Sequence, residues 1–143
     1  MADHPRTAAR RPRPLSPHLT VYHWPITMAA SITHRATGIA LSAGTLLIAW
    51  WLMAASSGPE SGSFQLFTIV VATPLGQVIL FGFVWSLAYH FLNGIRHLAW
   101  DVGFGFDVRT ANLTSFLVYA LSVALAVGAF ALVYTGRVGY LQQ

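Results

Sequence analysis

Three apolar runs, each long enough to cross a bilayer and separated by short polar stretches, leave this chain few ways to fold. A hydrocarbon core of roughly 30 Å takes about twenty helical residues to cross. Inside it no water satisfies a bare N–H or C=O, so each crossing segment closes its hydrogen bonds within itself as a helix. Composition agrees: 55% of residues are hydrophobic and 8% are charged, where a soluble domain carries about 25% charged residues. The expectation is an all-α integral membrane protein. A basic N-terminal arm and interfacial segment covers residues 1–25. Three transmembrane helices follow within residues 26–143, over about 26–55, 68–98 and 113–134. Pro74 either kinks the second helix or sits near its start. The loops leave no room for a soluble domain, which excludes a self-contained soluble enzyme.

The charges then set orientation. All eight basic residues are arginine, and four of them, Arg6, Arg10, Arg11 and Arg13, precede the first run. The loop after that run holds Glu60 and no basic residue. The positive-inside rule places the N-terminus in the cytoplasm (or a matrix) and the C-terminus outside. The basic arm reads as a topology signal rather than a nucleic-acid site. It lacks the apolar core of a secretory signal, and Pro5, Pro12 and Pro14 break it up as a mitochondrial presequence. With no cysteine in the chain, disulfides, cysteine-ligated iron–sulfur clusters and thiol catalysis are excluded. No internal repeat or midplane charge suggests a transporter or channel.

The chemistry concentrates at the end of the second run, in the stretch SLAYHFLNGIRHLAWD over residues 86–101. At about 100° per residue, His90, Gly94, His97 and Asp101 fall near one helix stripe. His90 lies about 10 Å deeper than His97 along that helix. A histidine at that depth needs a partner for its ring nitrogens. Two readings stand: a hydrogen bond to a neighbouring helix, or an axial bond to a haem iron. Gly94, one turn away, leaves room for a flat macrocycle or a close helix. The chain offers no second histidine at equal depth, so a haem held by two histidines would need one from another subunit. Zinc would need further ligands that this depth lacks. His97, beside Arg96 and four residues from Asp101, is explained by hydrogen bonding near the membrane surface.

A second constellation opens the first helix. Ser31 and Arg35 share a face at i and i+4, with His34 beside them. This is either a polar first turn with a snorkelling arginine or an anion and carbonyl site. A hydroxyl and a guanidinium can hold a quinone carbonyl or carboxylates such as haem propionates. His18 and His23 read as interfacial or partner-facing.

Two separated motifs carry a resemblance. Arg13-Pro14-Leu15-Ser16-Pro17-His18 is followed by Ser31-Ile32-Thr33-His34-Arg35-Ala36-Thr37-Gly38, and later by His90-Phe91-Leu92-Asn93-Gly94-Ile95-Arg96-His97 and Asp101. From Arg13 through the third run, the chain resembles the cytochrome b subunits of succinate dehydrogenase, the membrane-anchor subunits of respiratory complex II. The resemblance implies a heterodimeric haem-binding helical anchor, in which a second anchor subunit supplies the other axial ligand of a single haem b. It implies an iron–sulfur subunit and a flavoprotein subunit docked on the membrane, and ubiquinone as the substrate reduced. It assigns the axial ligand to His90, the quinone site to Ser31 and Arg35, and the haem propionate contacts to His34 and Arg35. Asp101, with His97, falls near the quinone and the proton entry.

On this reading the chain is the anchor of a succinate:quinone oxidoreductase in a bacterial inner membrane, with the mitochondrial inner membrane as the alternative. It carries no dehydrogenase residue of its own, since nothing in it could bind flavin or take a hydride. The alternatives are the anchor of a quinol:fumarate reductase and a haem-free structural anchor.

Overall fold

The computed structural model describes residues 22–140, with side chains through residue 136. Most of the basic arm expected over residues 1–25, with His18 in it, lies outside the described residues. The described residues form four helices: α1 (Ile26–Ser56), α2 (Gly62–Ala72), α3 (Pro74–Asp101) and α4 (Val108–Tyr140). Three of them, α1, α3 and the Val108–Gly136 part of α4, are long and apolar enough to cross a membrane. At 31 residues, α1 extends roughly 46 Å and overruns the hydrocarbon core.

Local chemistry sets the boundaries. The second run holds two helices rather than one. Pro74 lacks an N–H and disfavours helical backbone in the residue before it. Thr73 accordingly adopts an extended conformation. Its hydroxyl accepts from the Gly76 N–H at 3.0 Å, so Pro74 becomes the first residue of α3 instead of a kink. Upstream, the Ser61 hydroxyl accepts from the Phe64 N–H at 3.2 Å and starts α2. That helix has 11 residues, too few to span. The third spanning helix also starts earlier than the expected residue 113. The Asp107 carboxylate accepts from the Arg109 and Thr110 N–H groups at 3.0 and 3.2 Å, which starts α4 at Val108. Gly103 and Gly105, both at positive φ, supply the left-handed backbone of the tight turn before it.

α3 is the central element, packed against α1, α2 and α4. Its late turns meet the early turns of both α1 and α4. Tyr89 donates to the Ala30 carbonyl at 3.0 Å, and Arg96 bonds Thr114 and Ala111. Its early turns meet the far ends, where Tyr134 donates to Gln77 at 2.9 Å. The three spans therefore alternate in direction. Ser31, Arg35, His97, Asp101 and the start of α4 share one end of the bundle.

The interior is small and polar. α1 buries Ala30, Thr37 and Gly44, each seven residues apart, and α3 buries Ser86, Tyr89, Asn93 and Arg96. α4 contributes Ser115, Val118, Ser122 and Ala126. At Gly44 a Cβ would collide with the Phe83 ring, so glycine sets the α1–α3 approach. The large apolar side chains face outward. Ile32, Ile39, Leu46 and Met53 form an exposed stripe, again with a step of seven, and Ile39 and Leu46 are each 74% exposed. In water such a surface would be an aggregation site; in lipid it is the ordinary exterior. Without a hydrophobic drive between helices, small residues and interhelical hydrogen bonds hold the bundle together.

Candidate functional site

His90 sits where α3 crosses α1. Its Nδ1 lies 3.2 Å from the His34 carbonyl and 3.3 Å from the Thr37 hydroxyl. The Thr37 O–H is itself directed at the Thr33 and His34 carbonyls, both at 2.9 Å. It therefore faces His90 as an acceptor. Both partners of Nδ1 are then acceptors, which assigns the ring proton to Nδ1 and leaves the Nε2 lone pair free. Gly38 makes this approach possible, since a Cβ there would lie 3.2 Å from His90 Cε1. The run Thr37-Gly38 thus seats the ring, one residue by its hydroxyl and the other by lacking a side chain.

The His34 ring stacks on His90, with centroids 3.9 Å apart and planes within 12°, so a second histidine does lie level with His90, contrary to the expectation from the sequence, because α1 runs antiparallel across α3 at that point. It also lies 5.2 Å from the His97 ring, which meets Trp100 edge-on at 5.1 Å. The three histidines therefore form one column, with His34 of α1 between two residues of α3. The His34 Nδ1 is buried and has no hydrogen-bond partner among the described residues. Such a group calls for a polar partner beyond the described residues. Gly94, one turn from His90, has open space: a Cβ there would meet nothing within 4 Å.

Of the expected quinone residues, Ser31 is half-buried and Arg35 exposed, and they share the bundle end that carries the column. Asp101 is exposed as the last residue of α3. Arg96 does not join this polar cluster. It turns toward α4, where Nε donates to the Thr114 hydroxyl at 3.1 Å and the guanidinium reaches Asn93 Oδ1 and the Ala111 carbonyl. It stacks 4.0 Å over the Trp100 ring. The reason is angular: Arg96 precedes His97 by one residue and so points about 100° away from it.

Several residues of the site escape a reading by spacing alone. Thr37 passes for an ordinary helix threonine until α3 is laid across it. Tyr89 and Tyr119 look like core aromatics. Yet Tyr89 is fully buried, and Tyr119 shares a 2.7 Å hydrogen bond with Thr33, so these two pin α1 against both other spans. The signal available in the sequence was Tyr89-His90 and Thr37-Gly38 at matching depths on antiparallel helices.

A three-span helical bundle whose apolar side chains face out, with a polar column at one end and open space at Gly94 beside it, defines a helical membrane anchor. Residues 9–129 match the family described as succinate dehydrogenase/fumarate reductase transmembrane subunit, and the chain belongs to that family. The succinate dehydrogenase cytochrome b556 subunit of Paracoccus denitrificans is 49% identical over 115 residues, covering 80% of this chain and 87% of that protein. The cytochrome b556 subunit of Rickettsia prowazekii is 39% identical over 113 residues, 79% of this chain and 86% of that one. The mitochondrial cytochrome b560 subunit of Sus scrofa is 41% identical over 116 residues, 81% of this chain and 69% of that one.

Proposed function

We propose that this chain is the cytochrome b anchor of a succinate:quinone oxidoreductase, with His90 as one axial ligand of a haem b. The observation that carries the reading is the seating of His90. An axial imidazole needs a free nitrogen on one side and, on the other, an N–H held by a carbonyl, which fixes the tautomer and raises ligand basicity. The His34 carbonyl and Thr37 supply that hold, and open space at Gly94 adjoins it. One ligand from this chain leaves the second to a partner anchor subunit. His34, with its buried unpartnered nitrogen, and Arg35 suit the propionate end of the group. When bound, the haem supplies a one-electron redox centre inside the membrane.

Ser31 and Arg35 then form this chain's part of a ubiquinone site. Reduction of a quinone places negative charge on its carbonyl oxygens before protons arrive. A guanidinium keeps its proton at any working pH and stabilises that charge throughout. The Ser31 hydroxyl, one turn earlier on the same face, can donate to the same oxygen. Asp101 and His97, at the same bundle end, stand where protons enter. The arginine distribution supports a location of that end on the cytoplasmic side of a bacterial inner membrane. The relatives are succinate dehydrogenase subunits by name, which favours succinate oxidation over the fumarate-reducing direction that the family also covers. The enzymatic partners would be an iron–sulfur subunit and a flavoprotein.

The test is spectroscopic. In the purified complex, His90→Ala should remove or greatly alter the b-type band in the reduced-minus-oxidised spectrum, while His97→Ala keeps it. An assembled His90→Ala complex with an unchanged low-spin spectrum would exclude His90 as the ligand.

A further inference from the structure

Arg96 is a buried cation without an anion. It is 7% exposed, and its three hydrogen bonds go to neutral oxygens of Thr114, Asn93 and Ala111. Of its five N–H groups two remain. No carboxylate among the described residues forms an ion pair with it. The adjacent Asn93 Nδ2 is likewise buried with no partner among the described residues. A charge held in a low-dielectric surrounding by neutral groups alone is costly, and in membrane proteins such a group marks a functional site by default.

Arg96 also lines a groove of about 300 Å³ between α3 and α4, at the lower end of the volumes that small-molecule sites occupy. Its α3 wall includes Leu92, Ile95, Ala99 and Trp100, and its α4 wall includes Leu117 and Leu121. At about 100° per residue, Leu92, Ile95 and Ala99 lie roughly opposite His90, Gly94 and His97. The groove therefore opens away from the column face, onto the exposed apolar surface formed by Ile95, Leu117 and Leu121. Arg96 lies five residues, about 7.5 Å, from the end of α3. That is the depth at which a guanidinium meets lipid headgroups.

We propose that this groove binds one anionic phospholipid, its phosphate on the Arg96 guanidinium and an acyl chain along Leu117 and Leu121. The occupant follows from complementarity. The groove offers one uncompensated cation at the headgroup level and apolar walls below it, an arrangement that an amphiphilic anion fulfils. Arg pairs with phosphate through parallel, charge-assisted bonds. A zwitterionic lipid brings its own cation, for which the described walls provide no carboxylate. The site is independent of the haem and quinone reading, because it lies on the other face of α3.

The experiment is native mass spectrometry of the complete detergent-purified complex, titrated with dioleoyl phosphatidylglycerol or dioleoyl phosphatidylcholine. The wild-type complex should retain one more phosphatidylglycerol than an Ala99→Phe complex, in which Arg96 is intact and the groove is filled. That one lipid should bind at least tenfold more tightly than phosphatidylcholine. Arg96→Gln should abolish the preference. If Arg96→Gln fails to assemble, Ala99→Phe decides the matter by itself. Equal phosphatidylglycerol retention by wild type and Ala99→Phe overturns the site, and so does equal retention of the two lipids by wild type; Arg96 would then be only a clamp between α3 and α4.

Discussion

Substitution at Gly94 separates what this chain needs for itself from what it needs in order to receive a partner. Within the chain the change is harmless, because an added Cβ meets nothing within 4 Å. Alanine is also the better helix former by about 1 kcal/mol. Against the occupant of the open face the sign reverses. Extra carbon in a packed contact costs about 1–3 kcal/mol, which is about fivefold to more than a hundredfold in affinity, and Leu should exceed Ala. Gly94→Ala and Gly94→Leu chains should therefore reach the membrane in normal amounts, yet the purified complex should show graded loss of haem per flavin and of the second anchor subunit. Gly44→Ala is the contrasting control. There the Cβ would collide with the Phe83 ring inside the α1–α3 contact, so the chain itself should be lost before any question of cofactor arises. A Gly94→Leu complex with wild-type haem content and full subunit stoichiometry would refute the argument, and the open face would then be lipid-exposed surface.

Three further expectations follow from the same geometry. Thr37→Val keeps the shape but removes an acceptor 3.3 Å from His90 Nδ1; it should cost about 1 kcal/mol. Because the His34 carbonyl remains, haem should be retained with a raised midpoint potential, as a less basic imidazole stabilises ferric iron less; an unchanged potential in redox titration would deny Thr37 any part in ligand tuning. Since the chain has no native cysteine, Ser57→Cys should react with an impermeant thiol reagent from the outside and Thr110→Cys only from the inside, and the reverse pattern would move the proposed quinone site to the other surface. Ser31→Ala and Arg35→Ala should each lower succinate:quinone turnover at least tenfold in fully assembled complexes, Arg35 more severely, while sparing succinate oxidation by a soluble dye; Arg35→Lys should recover only part, and wild-type turnover in the assembled alanine variants would leave Arg35 a snorkelling side chain.

What was legible in the sequence was whatever has one-dimensional period or length. The three spans follow from apolar run length, and the placement of His90, Gly94 and His97 on one stripe follows from helical repeat. The shared bundle end of Ser31 and Asp101 follows from alternating spans. Boundaries were less legible, because single side chains at helix ends decide them. Thr73 and Asp107 each cap a helix through one oxygen, and together they divide the second run and lengthen the third. Pairings across helices were not legible. The three-histidine column requires knowing which residue of α1 lies over which residue of α3, and small polar residues such as Thr37 and Ser86 carry no apolar pattern that would announce it.

The same point explains why Arg96 and His97, adjacent in sequence, serve different faces of α3. α3 carries two stripes of the same rhythm, offset by one residue: Tyr89, Asn93 and Arg96 face the neighbouring spans, and His90, Gly94 and His97 follow each of them by a single step. Neighbouring residues stand about 100° apart on a helix, so the packing stripe fixes the rotation that aims the histidine stripe. Tyr89 anchors that rotation through the Ala30 carbonyl, and Arg96 anchors it through Thr114 and Ala111. These bonds leave one stripe of α3 and hold it to α1 and α4 respectively. A helix held to only one neighbour could roll about its axis, carrying His90 off the His34 carbonyl that seats it. In lipid, where apolar packing between helices has no solvent-driven preference for one rotation over another, hydrogen bonds to two neighbouring helices are the means by which an otherwise smooth apolar helix keeps His90 aimed.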